Sequence, residues 1–504
     1  MSMPAEYLIT TKRLSDLLRG FADAPACEIL GISSDSRTLQ SGDLFLACAG
    51  ESHHGLDYIS DAISAGVAAI AWDSSTAPPP ALAAGVPTIA IPNLAAQLGE
   101  IANRFYDRPS QGMRVIGVTG TNGKTTVAWL IAQCLQRLEQ RCGYIGTLGA
   151  GVGEIEDGEG MTTPGAIALH GHLAAFREAG AVGAAIEISS HALAQNRIDG
   201  VVFDTVMFTN LSRDHLDYHG DMRSYAEAKA RLILDCGANN RIVNIDTEFG
   251  MQLADRCGQD VVTVSTNFDR VANGRPFVFV RSVVAKGNGS KVRFSSAWGD
   301  GEFALPLPGD FNVANAVIVL ALLLQQDVPV EMACDVLTTV TAPPGRMQRV
   351  AAAEGLPGVY VDYAHTPDAI AVALRALQAH CKGKLWCVFG CGGDRDSGKR
   401  PQMAKQVEKR ADRIVVTSDN PRGEEPSAII AEIVAGLSKP ERATVIEDRA
   451  AAIAWAIDAA AADDVVLIAG KGHENYQIVA GQRLDFSDYG AALANLKAKA
   501  GSRT

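Results

Sequence analysis

The chain has 504 residues, 47% hydrophobic and 20% charged, which suits about three domains that can each bury a core. Disordered and collagen-like chains are excluded, because the first is poor in apolar residues and the second needs a strict glycine repeat. Lys and Arg number 45 against 57 Asp and Glu, so the net charge of −12 excludes a general nucleic-acid binder yet permits local basic pockets for small anions.

Glu6, Lys12, Arg13 and Asp16 precede any apolar run of signal-peptide length, so no secretory signal is expected. The uncharged stretch Ser74 to Gly99 is broken by Pro78, Pro79, Pro80, Pro87 and Pro92, and no membrane span is expected from it, since a span needs about 20 mostly apolar residues. The ten cysteines are scattered without a CxxC pair, the pattern of a reduced, cytoplasmic protein.

Asp107 to Gly112 is turn-rich and ends a first segment. Short apolar runs then alternate with Ala/Leu-rich helical stretches. Val115 to Val118, Ala184 to Ile188, Val206 to Phe208 and Ile242 to Ile245 read as buried strands, as do Val359 to Val361, Leu385 to Phe389, Ile414 to Thr417 and Val465 to Ala469. Thr125 to Leu138 keeps helical spacing through Val127, Ile131, Leu135 and Leu138. Such alternation predicts an α/β fold with parallel sheets covered on both faces. Phe277 to Leu307 is richer in strand formers and turns at Gly287-Asn288-Gly289, which predicts an antiparallel addition. Ala342-Pro343-Pro344-Gly345 marks a second boundary.

Gly117-Val118-Thr119-Gly120-Thr121-Asn122-Gly123-Lys124-Thr125-Thr126 follows a predicted strand and opens a predicted helix. Glycines let backbone N–H groups turn onto a phosphate, and the helix N-terminus adds partial positive charge. Lys124 can reach the outer phosphates of ATP, and the Thr125 hydroxyl can bind Mg²⁺. The spacing departs from GxxxxGK[ST], because Val118 stands where that form has glycine.

This loop resembles that of the Mur ligases and folylpolyglutamate synthases, which activate a carboxylate with ATP as an acyl phosphate for attack by an amine. The likeness extends through Asp35-Ser36-Arg37, Glu187-Ile188-Ser189-Ser190-His191, Asp214 to Gly220 and Tyr225 to Lys229. It continues in Gly390 to Asp396, Asp419-Asn420-Pro421-Arg422 and Gly470-Lys471-Gly472-His473-Glu474. Together these are similar to the Mur ligase family. The Asp-Asn-Pro-Arg form resembles members that add meso-diaminopimelate to UDP-MurNAc-L-Ala-D-Glu in peptidoglycan synthesis. The N-terminal motif and the Asp419 loop argue against a folate substrate. A P-loop switch ATPase is the rival of another class.

The resemblance implies three domains: 1–110 binding UDP, a central P-loop-type parallel sheet in 111–345 binding ATP, and a Rossmann-like domain in 346–504 taking the amino acid. It implies that the chain acts on these small molecules; a monomer is expected, and the net charge speaks against nucleic-acid partners. Gly120, Thr121, Asn122, Gly123, Lys124, Thr125, Thr126, Asn312 and Arg346 would hold ATP. Lys124, Glu187, His215 and Lys229 would be catalytic. Thr125 and Glu187 would bind one Mg²⁺; His215 and Lys229, carbamylated by CO₂, would bind a second. Ser36, Glu51, Ser52 and His53 would meet the UDP moiety, and Thr162, Thr163, Ser189, Gln195 and Arg197 the MurNAc-dipeptide. Met161 stands where related enzymes often carry Asn. Arg395, Asp419, Asn420, Pro421, Arg422, Gly470 and Glu474 would hold diaminopimelate. Arg422 can fork onto the distal carboxylate that lysine lacks.

Overall fold

A computed structural model describes residues 11–50, 53–78, 85–156, 160–270, 273–351 and 353–501. The chain forms two units, Met1–Thr263 and Val264–Thr504.

Besides a two-stranded antiparallel ladder of Lys12–Arg13 with Glu28–Ile29, the first unit carries two sheets. The smaller is all parallel, in the order Gly31–Ser33, Asp43–Ala47, Ala69–Asp73, Thr88–Ile91. Its two central strands are buried at every residue. Alternation splits their side chains: Leu44, Leu46, Ala69 and Ala71 join one core with Ile101 and Phe105, while Phe45, Ala47, Ile70 and Trp72 form another.

The larger sheet runs Asn240–Asn244, Thr205–Phe208, Arg114–Thr119, Gly183–Glu187, Cys142–Gly146, Gly149–Gly151. All its pairings within this unit are parallel except the last. The antiparallel edge departs from the expected all-parallel sheet. Thr147 and Leu148 alone separate those two strands, a hairpin length, whereas a parallel crossover needs about a dozen residues. The strand Arg114–Thr119 comes first in sequence but lies between later strands, so the chain order reverses on either side of it. Ligands of open α/β sheets bind at the carboxyl ends of strands at such a point. The phosphate loop follows this strand, and Glu187 ends its neighbour.

In the second unit Phe277–Lys286, Gly289–Ser296 and Gly301–Leu305 form an antiparallel meander, as the turn at Gly287 to Gly289 predicts. The apolar helix Asp310–Gln325 is buried almost all round. A six-stranded sheet follows, ordered Gln348–Val350, Gly358–Asp362, Val465–Ala469, Leu385–Phe389, Arg413–Val416, Ala443–Val445. Only its first pairing is antiparallel. Leu385, Cys387 and Phe389 face one core, Trp386 and Val388 the other. The hairpin Tyr476–Val479 with Gln482–Asp485 lies beyond the sheet's last strand in sequence. Arg449, which opens the helix Arg449–Ala459, and Asp488, which opens the helix Asp488–Gly501, form an ion pair with two 2.7 Å hydrogen bonds; both side chains are 0% exposed.

Among the described residues no helix is long and apolar enough to cross a membrane. All ten cysteines are free thiols.

Candidate functional site

The phosphate loop turns because Gly120 has a φ of +147° and Gly123 a φ of +89°, backbone that L side chains rarely adopt. A Cβ on Gly120 would also strike the Thr209 hydroxyl. The loop is pinned from the neighbouring strand end. Thr121 N donates to Asn210 O at 2.8 Å, Asn122 N to Asn210 Oδ1 at 3.0 Å, and Thr209 Oγ1 to Asn122 O at 2.6 Å. Gly123 caps the helix Lys124–Arg137 without a side-chain bond. A helix start of this kind leaves backbone N–H groups for an anion. The Lys124 ammonium folds back onto the carbonyls of Gly120 and Thr121, both at 2.9 Å.

Glu187 is 0% exposed. Its carboxylate accepts from Thr125 Oγ1 at 2.8 Å, Tyr144 OH at 2.5 Å, Thr147 N at 2.9 Å and Thr147 Oγ1 at 3.2 Å. Every one of these donors is neutral. With the Thr125 hydroxyl, this carboxylate forms the all-oxygen donor set that hard cations prefer. Tyr144 and Thr147 are hydrogen-bond partners of Glu187 that sequence reasoning missed.

Lys229 is 1% exposed on the helix Met222–Leu234. Its amine donates to Gly120 O at 2.7 Å and lies 4.5 Å from the centre of the Tyr225 ring. Burial pushes its pKa down to about 6, aided by the Lys124 charge and opposed by Asp214. The phenol of Tyr225 shares a 3.2 Å hydrogen bond with Thr121 Oγ1. His215 is exposed, has a φ of +50°, and lies in a ring cluster with His191 at 5.0 Å and Tyr225 at 6.1 Å. Burial and the neighbouring His215 and His219 push the His191 pKa down.

The predicted dipeptide residues gather beside Glu187. Thr163 Oγ1 donates to Glu187 O at 2.7 Å and accepts from Ser189 N at 3.0 Å. The hydroxyls of Thr147 and Thr162 share a 3.2 Å hydrogen bond. Arg197 donates to Thr163 O at 2.8 Å and to Gln195 Oε1 at 2.9 Å. Met161 Sδ lies 3.3 Å from the Arg197 guanidinium, so this thioether occupies the place noted as a departure. Ser36 and His53 line a separate open cavity of about 550 Å³ with Asp35, Arg37 and Tyr58. Glu51 and Ser52 lie outside the described residues.

In the second unit, Asn312 is buried near the start of its helix and donates to Pro308 O at 2.8 Å. Arg346 stacks 4.6 Å from the centre of the Tyr363 ring, and its buried Nε bears no hydrogen bond among the described residues. Burial pushes the nearby Asp362 carboxyl up, against the Arg346 charge and the amides of Met347 and Ala364.

The Asp419–Arg422 loop packs against the hairpin strand Tyr476–Val479. Gln477 Nε2 donates to Asp419 O at 2.7 Å, Ile478 N to Asn420 Oδ1 at 3.0 Å, and Arg422 N to Ile478 O at 2.9 Å. Arg422 sits at φ +53°, with one guanidinium nitrogen on Gly393 O at 2.9 Å. Asn420 Nδ2 donates to Glu474 Oε2 at 2.8 Å. Gly470 has a φ of +123°, and a Cβ there would run into the Asp419 carboxylate. Pro421 is buried; Arg395 is exposed on the loop after Leu385–Phe389. The structure therefore gathers Asp419, Asn420, Pro421, Arg422, Gly470 and Glu474.

Three family models match in order: "Mur ligase family, catalytic domain" over 28–106, "Mur ligase middle domain" over 118–323, and "Mur ligase, glutamate ligase domain" over 345–472. The chain is 45% identical to a UDP-N-acetylmuramoyl-L-alanyl-D-glutamate–2,6-diaminopimelate ligase of Coxiella burnetii, over 95% of this chain and 98% of that one. It is 45% identical to the protein of the same name from Xanthomonas campestris, over 97% and 98%. A solved structure of a ligase with that name is 32% identical, with a TM-score of 0.72, covering 97% of this chain and all of the other.

Proposed function

This chain belongs to the Mur ligase family, and we propose that it joins meso-diaminopimelate to the D-glutamate carboxylate of UDP-MurNAc-L-Ala-D-Glu, driven by ATP. The observation that carries this reading is the 45% identity to ligases of that name over nearly the whole of both chains. Three domains, 1–110, 111–345 and 346–504, divide the task; the order and limits of the family models support that division.

The chemistry brings a carboxylate to a γ-phosphate, so two anions must meet, and cationic groups must offset the charge that builds on the transferred group. The loop amides from Gly120 to Thr125 cradle the phosphates. Lys124 leaves the carbonyls of Gly120 and Thr121 to reach them, and Asn312 and Arg346 complete the ATP contacts. Thr125 and Glu187 fit one Mg²⁺, which would supply charge neutralisation at the phosphates. His215 and Lys229 fit a second once the lysine carries CO₂ as a carbamate. Lys229 suits that modification because burial favours its neutral, nucleophilic amine. Thr162, Thr163, Ser189, Gln195 and Arg197 hold the dipeptide, and Ser36, Glu51, Ser52 and His53 the uridine nucleotide. Arg395, Asp419, Asn420, Pro421, Arg422, Gly470 and Glu474 hold the amino acid, whose amine attacks the acyl phosphate to give amide and phosphate. The enzyme works as a monomer, and in the cytoplasm; the ten free thiols support the second point, a reducing compartment.

The test is phosphate release with ATP, Mg²⁺ and UDP-MurNAc-L-Ala-D-Glu, with meso-diaminopimelate, L-lysine or no amine added, and the product weighed by mass spectrometry. Release with meso-diaminopimelate and the tripeptide mass is expected. Release with lysine alone would overturn the account of Arg422. Release independent of any amine would overturn the ligase reading.

A further inference from the structure

One buried side chain in the amino-acid pocket has no part in the chemistry above. Lys471 is 0% exposed. Its ammonium donates to Asn420 Oδ1 at 3.1 Å and to Glu474 Oε2 at 2.9 Å. Asn420 Nδ2 closes the triangle on the same Glu474 oxygen at 2.8 Å. Two donors thus occupy Glu474 Oε2, while Oε1 bears no hydrogen bond among the described residues. The face of the triangle away from Glu474 is fixed too, because Asn420 Oδ1 also accepts from the Ile478 amide.

We propose that Lys471 is a positioning residue for the incoming diamino acid. It acts through Glu474, holding Oε2 so that Oε1 is presented to a substrate ammonium. The proposal rests on the reading of this site as the amino-acid pocket. Three physical points support it. Glu474 follows two glycine-flanked turns, Gly470 at φ +123° and Gly472 at φ +56°, and nothing in such a backbone orients a carboxylate by itself. A buried ion pair is weak evidence for stability, since an apolar pair of similar volume often does as well, so geometry is the better reason for a lysine here. The ammonium also links the two segments that form the pocket, Asp419–Arg422 and Gly470–Glu474, through one donor group. A displacement of either would move Glu474 relative to Arg422, and thus the spacing at which the two ends of a diamino acid are read.

The test is a double-mutant cycle on the full-length enzyme: Lys471→Met, Glu474→Gln and the two combined. KM for meso-diaminopimelate, KM for ATP and kcat are measured for each. Wild-type turnover is read first; if it does not depend on meso-diaminopimelate, both the proposed function and this inference fall. Given that dependence, Lys471→Met should raise KM for meso-diaminopimelate by about tenfold or more, with KM for ATP unchanged within about twofold. The double variant should be no worse than Glu474→Gln, because one residue acts through the other. Should Lys471→Met fail to fold, the double variant, which replaces the ion pair by a neutral pair, is compared with Glu474→Gln alone. Effects that multiply, or an equal rise in KM for ATP, would overturn the positioning role while leaving the ligase reading intact.

Discussion

Breaking the Arg449–Asp488 pair should both destabilise the second unit and loosen the amino-acid pocket. The guanidinium makes two 2.7 Å bonds to Asp488 and gives two more hydrogens to Ser418 O at 3.2 Å and Ala469 O at 3.0 Å. Those carbonyls adjoin Asp419 and Gly470. Asp488→Asn leaves a buried cation without its counter-charge, which costs about 3–5 kcal/mol. With a urea slope near 2–3 kcal/mol per molar for a unit of this size, the midpoint should fall by about 1–2.5 M. Tryptophan fluorescence suits the assay, since Trp455 lies on the helix that Arg449 opens and packs 5.8 Å from Trp386. Arg449→Met with Asp488→Leu should recover most of the lost stability, because it removes both charges. It should still raise the KM for meso-diaminopimelate, because Arg449→Met removes the bonds to Ser418 O and Ala469 O. A midpoint shift below about 0.3 M for Asp488→Asn would refute the reasoning, as would a double variant no more stable than the single.

Lys229→Met should abolish turnover yet stabilise the fold in bicarbonate-free buffer. The folded chain binds the lysine proton only below about pH 6, the unfolded chain up to the ordinary value of 10.5. In that window the unfolded state holds more protons, so wild-type stability rises with pH by up to about 1.4 kcal/mol per unit. The advantage of the variant should therefore be greatest near pH 6 and shrink toward alkaline pH; an advantage that is constant with pH would count against the burial argument. Gly120→Ala forces a side chain into left-handed space against Thr209, and should cost roughly 1–3 kcal/mol in a thermal melt and raise the KM for ATP. Arg422→Gly relieves a φ of +53°, so the melting temperature should hold or rise while KM for meso-diaminopimelate climbs by about a hundredfold, as expected when a carboxylate loses its guanidinium partner. A fall in melting temperature with unchanged KM would reverse that assignment.

The strands of both large sheets are readable because each is an apolar run covered on two faces, and the structure extends the predicted Val115 to Val118 only to Arg114–Thr119. The helix predicted over Thr125 to Leu138 is Lys124–Arg137. The small sheet of the first unit is harder to read: Gly31–Ser33 is three residues long, too short for a period. The phosphate loop is visible because its chemistry is local. The surroundings of Glu187 are not, since Tyr144 and Thr147 stand 43 and 40 residues away along the chain and meet it only through strand pairing. Lys471 lies inside a motif that resemblance singles out, but its partner Asn420 is 51 residues distant, and only the fold reveals the triangle.

Buried charge falls into two kinds of place, one in each unit. Arg449 and Lys471 are fully buried and matched by carboxylates within hydrogen-bond distance, so their charges are spent inside the protein and hold loops in position. Glu187 and Lys229 are as deeply buried but are bonded to neutral groups: hydroxyls and an amide for the one, a carbonyl for the other. A buried ionisable group without a hydrogen-bonded counter-charge is unfavourable, and a fold that keeps two of them around one phosphate loop gains nothing in stability. Each is instead suited to a charge that arrives with the substrates. Glu187 has the oxygen set for a divalent cation, and Lys229 has an amine kept neutral until it is modified. The matched pairs should thus respond to mutation chiefly in stability and amino-acid affinity, and the unmatched pair chiefly in turnover.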